Sequence, residues 1–309
     1  MENPSPPQPP LLKPGIHFGV PTEVYRADPG YNQSALKKFG GARTPAHYKE
    51  ELSGPGAKEL QEKDFIRIGS YVDAFLFGGD MEHYVIAPET YPCDPTKRDP
   101  RTSKPWSYRA DYCTAWKEQQ AAKGRVVLTG NELARANGCI KAVMAHEDCW
   151  ATIKLCEYQV VVIAEHPTLG YRLKGALDLW PKRMMDWVWD FKTSFDGSVP
   201  GFTDHAASMG YHIQAKFYLD LLRWCPEELV INNFGFLVVE NERPHGVNSF
   251  YTTYDSPELK RAGELITQWL PEYHRCMTSD TWHCYPPKWN KLVFKKWALS
   301  QAEEVPTLV

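Results

Sequence analysis

Residues 173–194 read LKGALDLWPKRMMDWVWDFKTS. The stretch is apolar and aromatic enough to be core, yet it carries Asp178, Asp186, Asp190 and Lys192. Buried charge is costly unless it is paired or binds a metal, so these residues need a reason. Composition predicts two strands, YRLKGALDLW and MDWVWDFKTS, joined by a tight connection at WPKRMM. Side chains alternate faces along a strand. Trp187, Trp189 and Phe191 therefore share one face, suited to packing on a helix layer, while Val188, Asp190 and Lys192 share the other. A hairpin through WPKRMM would bring Asp178 close to Asp190.

Two close carboxylates repel and raise one another's pKa unless a cation sits between them. Oxygen ligands on a rigid strand pair suit a hard divalent ion, Mg²⁺ or Mn²⁺. Such an ion polarises a phosphoryl oxygen and acidifies a water, and the neighbouring lysine would orient that water or stabilise the charge on phosphorus. This is equipment for metal-assisted hydrolysis of a phosphodiester. The plainer alternative for Asp190 and Lys192 is a structural ion pair at a strand edge. A second acid-x-lysine triplet, Glu258-Leu259-Lys260, follows the helix-start signal Ser256-Pro257. On a helix, residues two apart do not share a face, so that triplet is set aside.

Two further elements bear on the same chemistry. A helix predicted from about His205 to Leu222 puts Gln214 and Tyr218 four residues apart on one face, either reaching the reacting region or forming a polar flank. Asp73 sits inside the otherwise apolar helix DFIRIGSYVDAFLF (residues 64–77). It needs a surface exit, an arginine such as Arg67, or the same metal. Upstream, SALKKFGG and TPAHYKEEL read as short helices with Ser34 and Thr44 as caps. Helices are also expected over 107–122 and 130–146, the latter after the short strand of GRVVLT, with Thr129 or Asn131 near its cap. CEYQVVVIAE, INNFGFLVVE and GVNSFYTTY read as further strands, and a last helix is expected from about Pro257 to Cys276. Such an order predicts an α/β domain with a mixed sheet.

The chain has 309 residues, is 43% hydrophobic and carries a net charge of −3. No run approaches the roughly 18 apolar residues of a membrane helix, and the start does not read as a signal peptide. Eight cysteines without a CxxC pair suit a reducing compartment, and the spacing of His274, Cys276, His283 and Cys284 fits no zinc ribbon or finger. A cytoplasmic protein with no membrane association is expected. Basic charge is local: Lys97, Arg98, Arg101, Lys104 and Arg109 fall in one loop-rich segment, and PPKWNKLVFKKW near the end has four lysines and no acid. These patches suit phosphate contact or simply a solvated face. The expected organisation is a disordered Pro-rich tail (1–15), one domain (16–285) and a basic extension (286–309). Within the domain a helical part (16–150) precedes the catalytic sheet (151–285).

Gly175-x-x-Asp178, Asp190-x-Lys192 and Gln214-x-x-x-Tyr218 together resemble the PD-(D/E)XK nucleases of the RecB-like branch. More closely, the chain resembles the RecE (exonuclease VIII) type of phage and prophage exonuclease. VYRADPGYNQSALKKF with TPAHYKEEL, IGSYVDAFLF and VVLTGNELARANGCIKAVMAH extend the likeness over roughly residues 17–285. The resemblance implies a PD-(D/E)XK core, a mixed β-sheet flanked by helices with helical elements before it. It implies that Asp178, Asp190 and the carbonyl of Phe191 bind the metal, with Asp73 where the family usually carries histidine. Lys192 would act on the attacking water, Gln214 and Tyr218 would position DNA or water, and Glu157 would assist. The basic segment would contact nucleic acid.

The implied activity is an Mg²⁺- or Mn²⁺-dependent exonuclease resecting linear double-stranded DNA, typically from the 5′ end. Its implied partners are DNA with a free end, a single-strand annealing protein and further copies of itself, as a ring, trimer or tetramer. The setting would be the bacterial host cytoplasm if the chain is phage-encoded. The alternatives are an AddB-like single-strand nuclease, an endonuclease, or a DNA-binding recombination scaffold without catalysis. The iron–sulfur cysteine set of the AddB-like enzymes is not found in this sequence.

Overall fold

The computed structural model describes residues 11–53, 63–92, 102–107, 109–183 and 186–294. Lys97, Arg98, Arg101, most of the Pro-rich tail and the last fifteen residues lie outside them. The central sheet comprises β1 (Gly15–His17), β6 (Cys156–Glu165), β7 (Arg172–Pro181), β8 (Trp187–Ser194), β9 (Asn233–Glu240) and β10 (Val247–Thr253), in that spatial order. All neighbours run antiparallel except β8 and β9, which are parallel, so the sheet is mixed. Two small ribbons stand apart from it: β2 (Tyr84–Ile86) with β5 (Val126–Leu128), and β3 (Thr90–Pro92) with β4 (Ser103–Pro105). The chain is thus a mixed α/β fold with helices flanking the sheet. Among the described residues no helix is long and apolar enough to cross a membrane.

Helices cover both faces of the sheet because its strands are apolar on both. On one side lie α2 (Gln33–Gly41), α3 (Pro45–Ser53), α9 (Tyr211–Trp224) and α10 (Pro257–Ser279), which share a core with Val188, Leu173 and Leu177. On the other lie α4 (Asp64–Leu76), α6 (Gly130–Ala145) and α7 (Glu147–Lys154), packed on Leu179, Phe191 and Leu237. Ile68, Val72 and Leu76 recur along one face of α4 and are buried. Each contributes about 1.5–3 kcal/mol by leaving water. The remaining helices are α1 (Thr22–Ala27), α5 (Asp111–Ala122) and α8 (Val199–Ser208).

Local signals set most helix starts. Thr129 and Glu132 form a reciprocal capping box at α6, and Ser256 caps α10 with Pro257 behind it. Thr44 accepts from the His47 amide at the start of α3. Two expectations need correction. The cap of α2 is Asn32 and not Ser34, because the Asn32 side chain reaches the Ala35 amide at 2.9 Å. The single helix expected from His205 to Leu222 is two, α8 and α9, broken at Gly210, whose φ of +64° ends one helix and turns the chain into the next.

Candidate active site

The hairpin between β7 and β8 pairs at one rung, Leu179 opposite Trp189. One step further in the same register places Asp178 opposite Asp190. The strands part there: the Phe191 amide donates to Asp178 Oδ2 at 3.3 Å, a backbone-to-side-chain bond where a ladder bond would otherwise continue. A residue's N–H and C=O lie on the same edge of an extended strand, so the Phe191 carbonyl also points toward Asp178. Phe191 itself is fixed from the opposite face, its ring edge-on to Phe77 at the end of α4 with centroids 5.5 Å apart. Alternation thus divides β8 as its sequence indicates, with Phe191 against the α4 layer and Asp190 and Lys192 on the other face.

Asp190 is 2% exposed. Its Oδ1 accepts from Gln214 Nε2 at 2.5 Å, and its Oδ2 contacts the Lys192 ammonium without accepting a hydrogen bond of regular geometry. Gln214 comes from the first turn of α9, and Tyr218, one turn on, is buried beside Gly175 of β7. A methyl group at Gly175 would stand 2.8 Å from Tyr218 Cε1 and from Leu221 Cδ2, so only glycine lets α9 settle this close to β7. Of this i, i+4 pair, Gln214 touches Asp190 directly, whereas Tyr218 lies within electrostatic range of Asp178 and Asp190.

Electrostatically the cluster is crowded with acid. Burial pushes the Asp178 carboxyl well above its ordinary value, Asp190 and Asp73 push it further, and Lys192 pulls the other way. Burial likewise raises Asp73, to about 7, with Asp190 adding to the shift and Lys192 opposing it. Burial alone would lower the Lys192 ammonium, but Asp190 first, then Asp178, overcompensate and hold it above the usual lysine range. Lys192 is therefore a fixed cation at neutral pH. Burial and the two aspartates keep Tyr218 as a neutral phenol.

Asp73 thus belongs to the electrostatic neighbourhood of Asp178 and Asp190. Arg67, its suggested partner, instead forms an ion pair with Glu132. Glu157 does not belong. It lies opposite Trp180, two rungs from Asp178, is exposed, and pairs with Lys182 at 3.8 Å. The β6 residue that does reach the site is Gln159, whose Nε2 donates to Asp178 Oδ1 at 3.2 Å. Gln159 has a φ of +51°, and the rung it would share with Asp178 is missing from the ladder. Lys104 lies on β4 and Arg109 in an exposed turn before α5, both outside the central sheet.

The donor set suits a hard cation on its own chemistry: carboxylate oxygens from adjoining strands, a carbonyl aimed the same way, and a buried Asp190 Oδ2 short of a regular donor. Among the described residues no three acidic, imidazole or thiolate side chains close on a common point. The set is a pair of carboxylates, Asp178 and Asp190, with Asp73 exerting the weaker influence on Asp178.

A family model for a PDDEXK-like domain of unknown function, DUF3799, matches residues 32–288, which spans all of these side chains. The chain belongs to this PDDEXK-like family. No functionally curated protein matches it. A crystal structure from Eubacterium rectale described as "putative exonuclease" is similar in fold, at 16% identity over 92% of this chain and 99% of that one, with a TM-score of 0.56. A phage-related exonuclease from Haemophilus somnus 129PT is a looser match, at 13% identity over 82% of this chain and 96% of that one, TM-score 0.35.

Proposed function

We propose that this PDDEXK-like chain is a divalent-metal-dependent DNA exonuclease that hydrolyses linear double-stranded DNA, from the 5′ end, to leave single-stranded tails for recombination by strand annealing. The observation that carries the reading is Asp178 facing Asp190 where β7 and β8 part, with Lys192 held against Asp190. Exonuclease descriptions of proteins with a similar fold favour the same activity. Asp178, Asp190 and the Phe191 carbonyl would hold the cation, Mg²⁺ or Mn²⁺, with Asp73 adding charge from α4. When bound, the ion polarises a phosphoryl oxygen and acidifies a water.

The chain's own residues have distinct tasks in this reading. Lys192, cationic throughout, orients the attacking water and offsets the charge that builds on phosphorus. Gln214 fixes the rotamer of Asp190, and its buried amide cannot take up a proton. Tyr218, a neutral phenol, closes the site toward α9 and excludes water. Gln159 holds the outer oxygen of Asp178. The basic residues Lys97, Arg98, Arg101, Lys104 and Arg109 contact the DNA backbone, and a ring of three or four copies with an annealing protein completes the machinery.

The test is incubation of the full chain with linear duplex labelled at either the 5′ or the 3′ end, with and without Mg²⁺ or Mn²⁺, beside circular and single-stranded DNA. Loss of the 5′ label first, only with metal and only from linear duplex, is expected. Cleavage of circles would make it an endonuclease, and preference for single strands would overturn the duplex assignment.

A further inference from the structure

The carboxylates and Lys192 do not exhaust the charge at this site. Lys37 lies on α2, a helix the chemistry above does not use. Its aliphatic stem crosses Gly210 at the break between α8 and α9: a methyl at Gly210 would stand 2.8 Å from Lys37 Cδ. Its ammonium lies 5.8 Å from the centroid of the Tyr211 ring, and the Lys192 ammonium lies 5.2 Å from that same centroid. Two lysines from different elements thus converge on one aromatic ring.

Only one of them has an ion-pair partner among the described residues. Lys192 contacts Asp190, whereas Lys37 forms no ion pair among the described residues. Burial, and then repulsion from Lys192, pull the Lys37 ammonium below the usual lysine range, with Asp190 opposing. Holding a half-buried ammonium beside another, without an anion of its own, is unfavourable for the free protein. Long lysine side chains ordinarily avoid this by turning their heads to water. Tyr211 also borders a cavity of about 800 Å³ lined by His212, Glu258 and Arg261 but by neither lysine, so a nucleotide-sized group has room next to this ring.

We propose that Lys37 is a substrate-binding residue whose ammonium takes a non-bridging oxygen of the phosphate next to the one being hydrolysed. The two ammoniums come from different elements, α2 and β8, and in this proposal each serves a different phosphate of one strand. Lys192 acts at the reacting group, and Lys37 sets the register of the strand across it. This rests on the nuclease reading above and adds to it the wall that holds the backbone.

The experiment compares wild type, Lys37→Met and Lys37→Arg on fluorescently labelled linear duplex. Affinity is read by anisotropy in EDTA across a salt series, and degradation is read with Mn²⁺. Methionine preserves the stem over Gly210, and a thermal melt confirms that each variant is folded. Lys37→Met should weaken binding about tenfold, lower the salt dependence by about one counterion, and raise KM more than it lowers kcat. Lys37→Arg should restore most of the affinity. If wild type degrades DNA and Lys37→Met matches it in affinity, salt slope and KM, the Lys37 assignment falls and the nuclease reading stands. If wild type neither binds nor degrades DNA, both fall together.

Discussion

Strand β7 carries two charge clusters, one toward each end, and they are built on opposite principles. Near its start, Arg172 pairs with Asp28 Oδ2 at 2.6 Å and donates to Asp28 Oδ1 at 3.0 Å. Lys174 beside it gives its ammonium to the carbonyls of Tyr25, Arg26 and Asp28 at the end of α1. Opposite charges meet there, and both the Arg172 guanidinium and the Lys174 ammonium are met by acceptors. Near its end, Asp178 faces Asp190 with Asp73 in range, and the Lys192 ammonium is held against Asp190. The first cluster ties the N-terminal segment to the sheet. The second is a set of like negative charges that gains its balance only when a cation arrives, and buried charge left in that state marks a working site.

The contrast is broken most sharply by truncating the second cluster. Asp190→Ala or Lys192→Ala should lower the rate of duplex degradation by on the order of 10³-fold, the scale of losing a preorganised charge. Both variants should keep the far-UV circular dichroism of the wild type. Undiminished degradation by either pure variant would move the site elsewhere.

Truncating the first cluster should do the reverse. Asp28→Ala leaves Arg172 without its carboxylate and should cost about 3 kcal/mol of stability, read by urea denaturation, with little change in degradation per folded molecule. This cluster also carries a pH signature. Burial alone would raise the Asp28 carboxyl, but Arg172, the Gly30 amide and Lys174 together hold it below the ordinary value. A carboxyl with a depressed folded pKa stabilises the protein above its unfolded value of about 3.9 and loses that contribution as pH falls through the folded value. The stability gap between wild type and Asp28→Asn should therefore be flat from neutral pH to about 5 and close below about 4.

Between the clusters sits Gly175, where α9 comes down on β7. Gly175→Ala should cost about 1–3 kcal/mol, because Tyr218 or Leu221 must shift to admit the methyl. Degradation should fall with stability, since Tyr218 and Gln214 ride on the same helix. A variant that lost stability but kept full activity would show that α9 positions nothing in the reaction.

What the sequence revealed and concealed at this site follows from period and register. Asp190, Lys192, Gln214 and Tyr218 were legible because each sits in a regular element, where period two or i, i+4 fixes which side chains share a face. Gln159 was not. In CEYQVVVIAE the acid Glu157 is the more reactive-looking choice, and only the β6–β7 register decides that Asp178 meets residue 159. Register depends on where the connecting turn closes, which alternation within one strand does not report. Lys37 was hidden for a related reason: its meaning depends on a break at Gly210 far along the chain. The three residues of β1 are too few for any pattern to register.

The smallest effect tests the same comparison from the other side. Asp178→Asn removes one of the facing carboxylates while keeping the shape of the side chain. Its oxygen can still accept from the Phe191 amide, and its new amide can be met by the Gln159 side chain turned to offer oxygen. Like charges directly across a strand pair are destabilising, so removing one should raise stability by about 1 kcal/mol in EDTA. Degradation should be lost in the same variant. Asp28→Asn, the matching change in the first cluster, must move stability in the opposite direction. Were both substitutions to destabilise equally, the two ends of β7 would be alike in energy, and the idea that one holds unrelieved negative charge for a cation would fail.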